Sequence, residues 1–241
     1  GGTRTLGEGW NIDGDGEGAI SITGGATSVI GWVHCDGNLT LAGGTLGGTG
    51  TLVVGGRFYV TANSSMTGTG TLMTMGTSRI ESVVANAWLN ISGGRTWSNF
   101  GTLTIAGDEY INFGAYGGGT NTLINEYGGT LNLSSSASVP LTFYSGTAIF
   151  NNDGTLNHTV SGTHSISNAI SFSNTGTVQV SAGTLSYNRN LTNQGTVSID
   201  PGARMSVGGS FSNSASATVR LGLGNATTIG VLAVTGTASL N

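Results

Sequence analysis

Apolar and polar positions alternate along most of the chain, and the alternation returns at intervals. A short phrase recurs: Gly, Thr, then Leu or Val, a polar residue, and an apolar one. Its threonines are Thr51, Thr71, Thr102, Thr130, Thr155, Thr177, Thr196 and Thr218, at steps of 20, 31, 28, 25, 22, 19 and 22 residues, and Ala217 replaces Gly in the last copy. Next to them stand Leu52, Leu72, Leu103, Leu131, Leu156, Val178, Val197 and Val219. Two positions further are Val54, Thr74, Ile105, Leu133, His158, Val180, Ile199 and Leu221. A period of two with one apolar side predicts a strand with one buried face.

A second phrase precedes the first. Asn99, Asn125, Asn152, Asn174, Asn193 and Asn213 each follow a large apolar residue by two positions: Trp97, Leu123, Phe150, Phe172, Leu191 and Phe211. After the Gly-Thr strand come turns such as 181–183 and 200–202, then another alternating strand. Its inward pairs are read as Phe58 with Val60, Ile111 with Phe113, Leu185 with Tyr187, and Met205 with Val207. A unit of about 20–30 residues with no helical segment is too short for a strand–helix–strand crossover and suits a coil that pairs with the next coil.

The expected fold is therefore all-β: a single-stranded right-handed parallel β-helix, or β-solenoid, of about ten coils. It forms one domain over residues 1–241, as a fragment of a larger surface protein. At ~4.8 Å per coil the rod is roughly 45–50 Å long. Antiparallel propellers and sandwiches give no reason for like residues to recur at equivalent places; stacking does. The six asparagines should form a ladder at one corner, their amides donating and accepting along the stack.

Composition narrows the function classes. Of 241 residues 44 are Gly, 2 are Pro and only 7% are charged, with a net charge of −4 and no lysine. No basic patch exists to steer the chain to nucleic acid or anionic lipid, and no 18-residue apolar run exists to insert in a membrane. Cys35 is the only cysteine, so no internal disulfide can form, and it reads as a small buried hydrophobe.

The run 39–46, continuing through 50–54, and the Phe-x-Asn-x-Gly-Thr-Val copy at 172–178 resemble β-solenoid repeats of large bacterial surface adhesins, both filamentous-haemagglutinin-like proteins and autotransporter passengers. The resemblance covers roughly residues 38–221. It implies an extracellular or cell-surface location and a structural or adhesive stalk or binding module. The expected partners are flanking coils of the same protein or a second copy end to end, and a glycan or cell surface. The rival class is a polysaccharide-binding or polysaccharide-cleaving β-helix protein of the lyase or pectinase kind. It needs clustered carboxylates, which 11 acids dispersed over the coils scarcely supply; the chain is therefore read as not an enzyme. Ice binding would need two outward threonine columns, and the second one contains a single Thr.

Few residues suggest a site. Asn11-x-Asp13-x-Asp15-Gly16, with Glu17 beside it, matches the opening of a calcium loop, although Ile22 stands where a bidentate Glu is expected. Calcium is the one cofactor suggested. Glu126 and Asp153 each follow a ladder asparagine in consecutive coils, so they should share a corner about 5 Å apart. They read as an exposed pair splayed into water or, with Tyr127 beside them, as a shallow cation or sugar site. Trp97 belongs to the inward column and is read as core. Trp10, Trp32 and Trp88, alone or with Tyr110, Tyr116 or Tyr127, could form a stacking platform. His158 interrupts an apolar column, either as a satisfied core histidine or where the coil bulges, and His164 is read as a loop residue.

Overall fold

The computed structural model describes residues 2–12, 19–225 and 227–240. The coils have three strands each and build three parallel sheets. The first has eleven strands, from Thr3–Leu6 to Val231–Val234. The second has eleven, from Asn11–Ile12 to Ala238–Leu240, and the third has ten, from Ala19–Ile22 to Thr218–Leu221. Every neighbour in a sheet is the strand one coil away, and these pairs are parallel. One antiparallel pair, Leu223–Asn225 with Thr228–Ile229, is a small hairpin inserted between the last strand of the third sheet and the last of the first. No helix occurs among the described residues. The chain is a β-solenoid of about ten turns, as the repeat predicts.

Inward residues of all three sheets meet in one continuous core. Leu103, Leu131, Leu156, Val178 and Val197 stack in register and are fully buried. Trp97, Leu123, Phe150 and Phe172 form the matching column on the second sheet. There the rings of Phe150 and Phe172 lie nearly parallel, 5.1 Å apart, and Phe58 meets Trp97 edge-on at 5.3 Å. Trp97 is core, as expected, and its indole N–H donates to Thr74 Oγ1 at 3.1 Å. Cys35 is buried inward, and burial pushes its thiol pKa up.

Glycine in the Gly-Thr phrase has a steric reason. Gly101, Gly154, Gly176 and Gly195 each sit directly over the turn of the previous coil, and a methyl group there would overlap the carbonyl oxygen of Gly76, Gly129, Gly154 and Gly176 in turn. Close stacking of turns, rather than an unusual backbone angle, is what requires Gly in this column.

Two assignments of repeat position are corrected by the pairing. Thr51–Val54 and Thr71–Thr74 belong to the second sheet, where Leu72 pairs with Trp97 and Thr74 with Asn99. Thr102 and the later threonines of the phrase lie on the third sheet, on top of Thr77. Phe58 and Val60 likewise belong to the third sheet, whereas Ile111, Phe113, Leu185 and Tyr187 are on the first. The phrase marks a turn entering a strand, and the solenoid uses that chemistry at more than one corner.

Candidate functional site

The asparagine column is a ladder. Each Nδ2 donates to the Oδ1 of the next coil: Asn99 to Asn125 at 2.9 Å, Asn125 to Asn152 at 2.8 Å, Asn152 to Asn174 at 2.7 Å, Asn174 to Asn193 at 2.7 Å and Asn193 to Asn213 at 2.8 Å. The same nitrogens also reach backbone carbonyls at the start of the third-sheet strand of the following coil, among them Thr155 O and Thr177 O. All six side chains are buried. Thr74 Oγ1 donates to Asn99 at the foot of the column. The ladder ties the corners of successive coils together through buried amides, so its role is architectural.

Glu126 and Asp153 follow the paired Asn125 and Asn152, so they occupy adjacent places in one corner column. The Asp153 carboxylate accepts a hydrogen bond from Thr175 Oγ1, in the coil on the side away from Glu126. Tyr127 is 91% exposed in the extra residue of its turn. Two carboxylates fall short of the six to eight oxygens calcium takes. Among the described residues no three His, Cys, Asp or Glu side chains gather in a group that could hold a metal. Of the calcium-loop residues, Asn11 lies in a strand paired with Trp32–Cys35, while Asp13, Asp15 and Glu17 lie outside the described residues.

A polar patch interrupts the core at the corner between the third and first sheets. His158 is fully buried between Leu133 and Val180, and its Nδ1–H donates to Ala182 O at 2.9 Å. His164 is not in a loop: it lies in the strand Thr163–Ile166, points inward, and its Nε2–H donates to Ser135 O at 2.7 Å. Its parity with Ile166 sends it inside. The two rings meet edge-on at 4.8 Å. Each histidine bonds a carbonyl, which can only accept, so the bonded nitrogen carries a proton. Burial lowers both pKa values, and for His158 the proximity of His164 lowers it further. Ser135 Oγ donates to Glu109 O, and the buried Glu109 carboxylate accepts from Ser82 N. Arg95 is also fully buried, at the corner between the first and second sheets beside Gly70, and none of its guanidinium nitrogens has a hydrogen-bond partner. Desolvation pushes its pKa down to about 10. The structure offers no reason for a cation there.

Inserted turns flank the outer face of the first sheet. Successive coils differ in length: Thr177 and Thr196 pair over 19 residues, but Ile111 and Leu141 over 30. The extra residues form turns at 81–87, 114–119 and 134–140. Between the first and last of these opens a recess of about 590 Å³. Tyr110 and Asn112 form its floor, Thr142 and Tyr144 continue it in the next coil, and Asn86 stands at its rim. Tyr144 is 70% exposed. Trp88 lies beside Tyr110 in register, and the ring of Tyr116 packs over Trp88 at 6.3 Å. Asn86 and Tyr116 have φ of 55° and 62°, the only non-glycine residues with positive φ among those described. A second recess of about 350 Å³ lies over the His164 corner, lined mainly by serines and glycines of 134–138 and 160–163.

Compared with family models, curated proteins and solved structures, the chain matches none of them. The likeness to surface adhesins therefore rests on the repeat pattern, while the β-solenoid architecture rests on the strand pairing itself.

The structure brings Trp88, Tyr110 and Tyr116 of the anticipated platform together. Trp10 and Trp32 are half-exposed near the start of the chain, and Trp32 lies on the second sheet. Asn86, Asn112 and Tyr144 were not legible as site residues. Uneven spacing was the available signal, because insertions into a regular repeat become loops, and loops carry function.

Proposed function

We propose that this chain is a rigid rod of a secreted or cell-surface protein, with a structural and adhesive role. One observation carries the reading: a largely stacked interior contrasts with loop insertions that flank the first sheet. The regular coils commit their side chains to stacking columns and to the asparagine ladder. The inserted turns at 81–87, 114–119 and 134–140 are held on that rigid support and present exposed Val83, Val84 and Tyr116, with exposed Tyr144 just after the strand Leu141–Phe143. Such an arrangement holds a binding surface at a fixed place along a stalk. Flanking coils of the same protein are its natural neighbours, since a parallel sheet continues wherever a further coil can pair.

The test is attachment without turnover. Fluorescent beads coated with the chain should accumulate on bacterial or host-cell surfaces under flow, above beads coated with the heat-unfolded chain. Incubation of the chain with neutral and acidic polysaccharides should release neither reducing ends nor unsaturated uronate. Beads that fail to attach, or robust polysaccharide cleavage, would overturn the adhesive reading, and cleavage would move the protein to the lyase or hydrolase class.

A further inference from the structure

The recess on the first sheet has chemistry that the rest of the rod lacks a use for. Tyr110 and Asn112 point outward from the strand Tyr110–Phe113, and Ile111 and Phe113 point into the core. Asn112 pairs in register with Asn90 on one side and Thr142 on the other. The contrast between the two asparagines is informative. Asn90 is buried and fully occupied: its Oδ1 accepts from Ala115 N at 3.0 Å, and its Nδ2 donates to Ala115 O at 2.6 Å and Ser92 Oγ at 3.2 Å. Asn112 occupies the equivalent place one coil on, where the covering turn is absent and the recess opens. Among the described residues, no side-chain hydrogen bond engages Asn86, Tyr110, Asn112, Thr142 or Tyr144.

The occupant follows from the lining. No acidic or basic side chain borders the recess, so it has nothing for phosphate, nucleic acid or a charged peptide. An added peptide strand needs an open sheet edge, and Tyr110–Phe113 is already paired on both sides. What remains is a set of flat aromatic faces interleaved with uncommitted amides and hydroxyls. That set matches a polyhydroxylated ring, whose C–H face lies against an aromatic plane while its hydroxyls donate to and accept from amides. The recess volume falls within the range of about 300–1,000 Å³ typical of small-molecule sites. The aromatic strip continues beyond it: Trp88 lies beside Tyr110, one strand spacing of ~4.8 Å away, with Tyr116 over Trp88, while Tyr144 stands toward the other end of the strand, after the Phe143 that pairs with Phe113. A ligand of several linked rings crossing the sheet obliquely would reach from Tyr144 to Tyr110 and Trp88. The strained Asn86 and Tyr116 backbones flank it, and such strain concentrates at ligand clamps.

We infer that the recess and strip bind a neutral oligosaccharide chain, with Tyr110 and Tyr144 as stacking platforms and Asn86, Asn112 and Thr142 as hydroxyl partners. The inference rests on the adhesive reading for its biological use, and names the surface chemistry that the rod would grip.

The test is a titration of the whole chain, followed by calorimetry and by intrinsic fluorescence, with cellohexaose, mannohexaose and xylohexaose, and with the galacturonate hexamer as the acidic comparison. At least one neutral hexamer should bind saturably, and more tightly than its trimer. Tyr144→Ala should weaken binding about tenfold, Tyr144→Phe should retain most of it, and both should keep the parent melting temperature because the ring is exposed. Trp32→Ala, on another sheet, should bind as the parent does. No neutral hexamer binding up to about 5 mM, where even a Kd near 1 mM would register, overturns the inference. So does binding of the acidic hexamer alone, or an equal loss in Trp32→Ala. The two readings fail separately: beads that still attach to cells when no hexamer binds leave adhesion standing without this site, and hexamer binding without bead attachment leaves the site standing without adhesion.

Discussion

Replacing Asn152 by Ala removes the middle of the asparagine ladder and puts a number on it. Asn152 Nδ2 donates to Asn174 Oδ1 at 2.7 Å and Thr177 O at 2.9 Å, and Oδ1 accepts from Asn125 Nδ2 at 2.8 Å. Each such bond is worth about 1 kcal/mol net, or about 3 kcal/mol together. Asn174 Oδ1 loses its donor in a fully buried place, which costs about 1–3 kcal/mol more. Asn125 Nδ2 keeps Thr155 O, and part of the loss is recovered as the corner relaxes, so about 4 kcal/mol is expected. The comparison is Thr175→Ala, which removes an exposed bond to Asp153 and should cost under about 1 kcal/mol. Urea unfolding followed by far-ultraviolet circular dichroism measures both. Asn152→Asp adds a test of sign. An ionised carboxylate would face two acceptors in a dry corner, so the folded state should hold this carboxyl protonated and raise its pKa. A raised folded pKa gives stability that is fully present below the unfolded value of about 3.9 and is lost as pH rises. The Asp variant should therefore approach the parent near pH 4 and fall well short of it at neutral pH. A loss below about 1 kcal/mol in Asn152→Ala, or an Asp variant with the parent's pH profile, would show that the ladder is decorative.

Three further outcomes follow from the interior. His158 and His164 have lowered pKa values in the fold, so the unfolded chain binds more protons, and stability should fall as pH drops below the usual histidine value of about 6.5; melts of His158→Leu should depend less on pH over that window, and an unchanged slope would refute the assignment. Gly176→Ala should cost about 3 kcal/mol by overlap with the coil beneath, whereas Gly162→Ala, with open space around it, should be neutral or slightly stabilising in the same unfolding assay. Arg95→Met should stabilise the fold by about 1–3 kcal/mol, because it removes a buried cation with no partner; a lower melting temperature would mean that the guanidinium is held.

The sequence by itself determined the architecture. Alternation sets which side of each strand is buried, and like residues recurring every coil are explicable only by stacking. The asparagine ladder and the inward Trp97 column were legible for the same reason: each position repeats a requirement that its neighbours above and below also meet. What the sequence left open was which sheet a given phrase joins. Gly50-Thr51-Leu52 and Gly101-Thr102-Leu103 read alike, yet they enter different sheets, because the turn chemistry is local while the register is fixed by pairing with another coil 20 or more residues away. His164 read as a loop residue because its inward direction depends on that same register. The recess was legible only in part: Tyr110 was a candidate stacking residue, but the opening itself was not. It is made by insertions of unequal length whose side chains meet only after three coils have stacked, so only the tertiary structure places Asn86, Asn112 and Tyr144 around one opening.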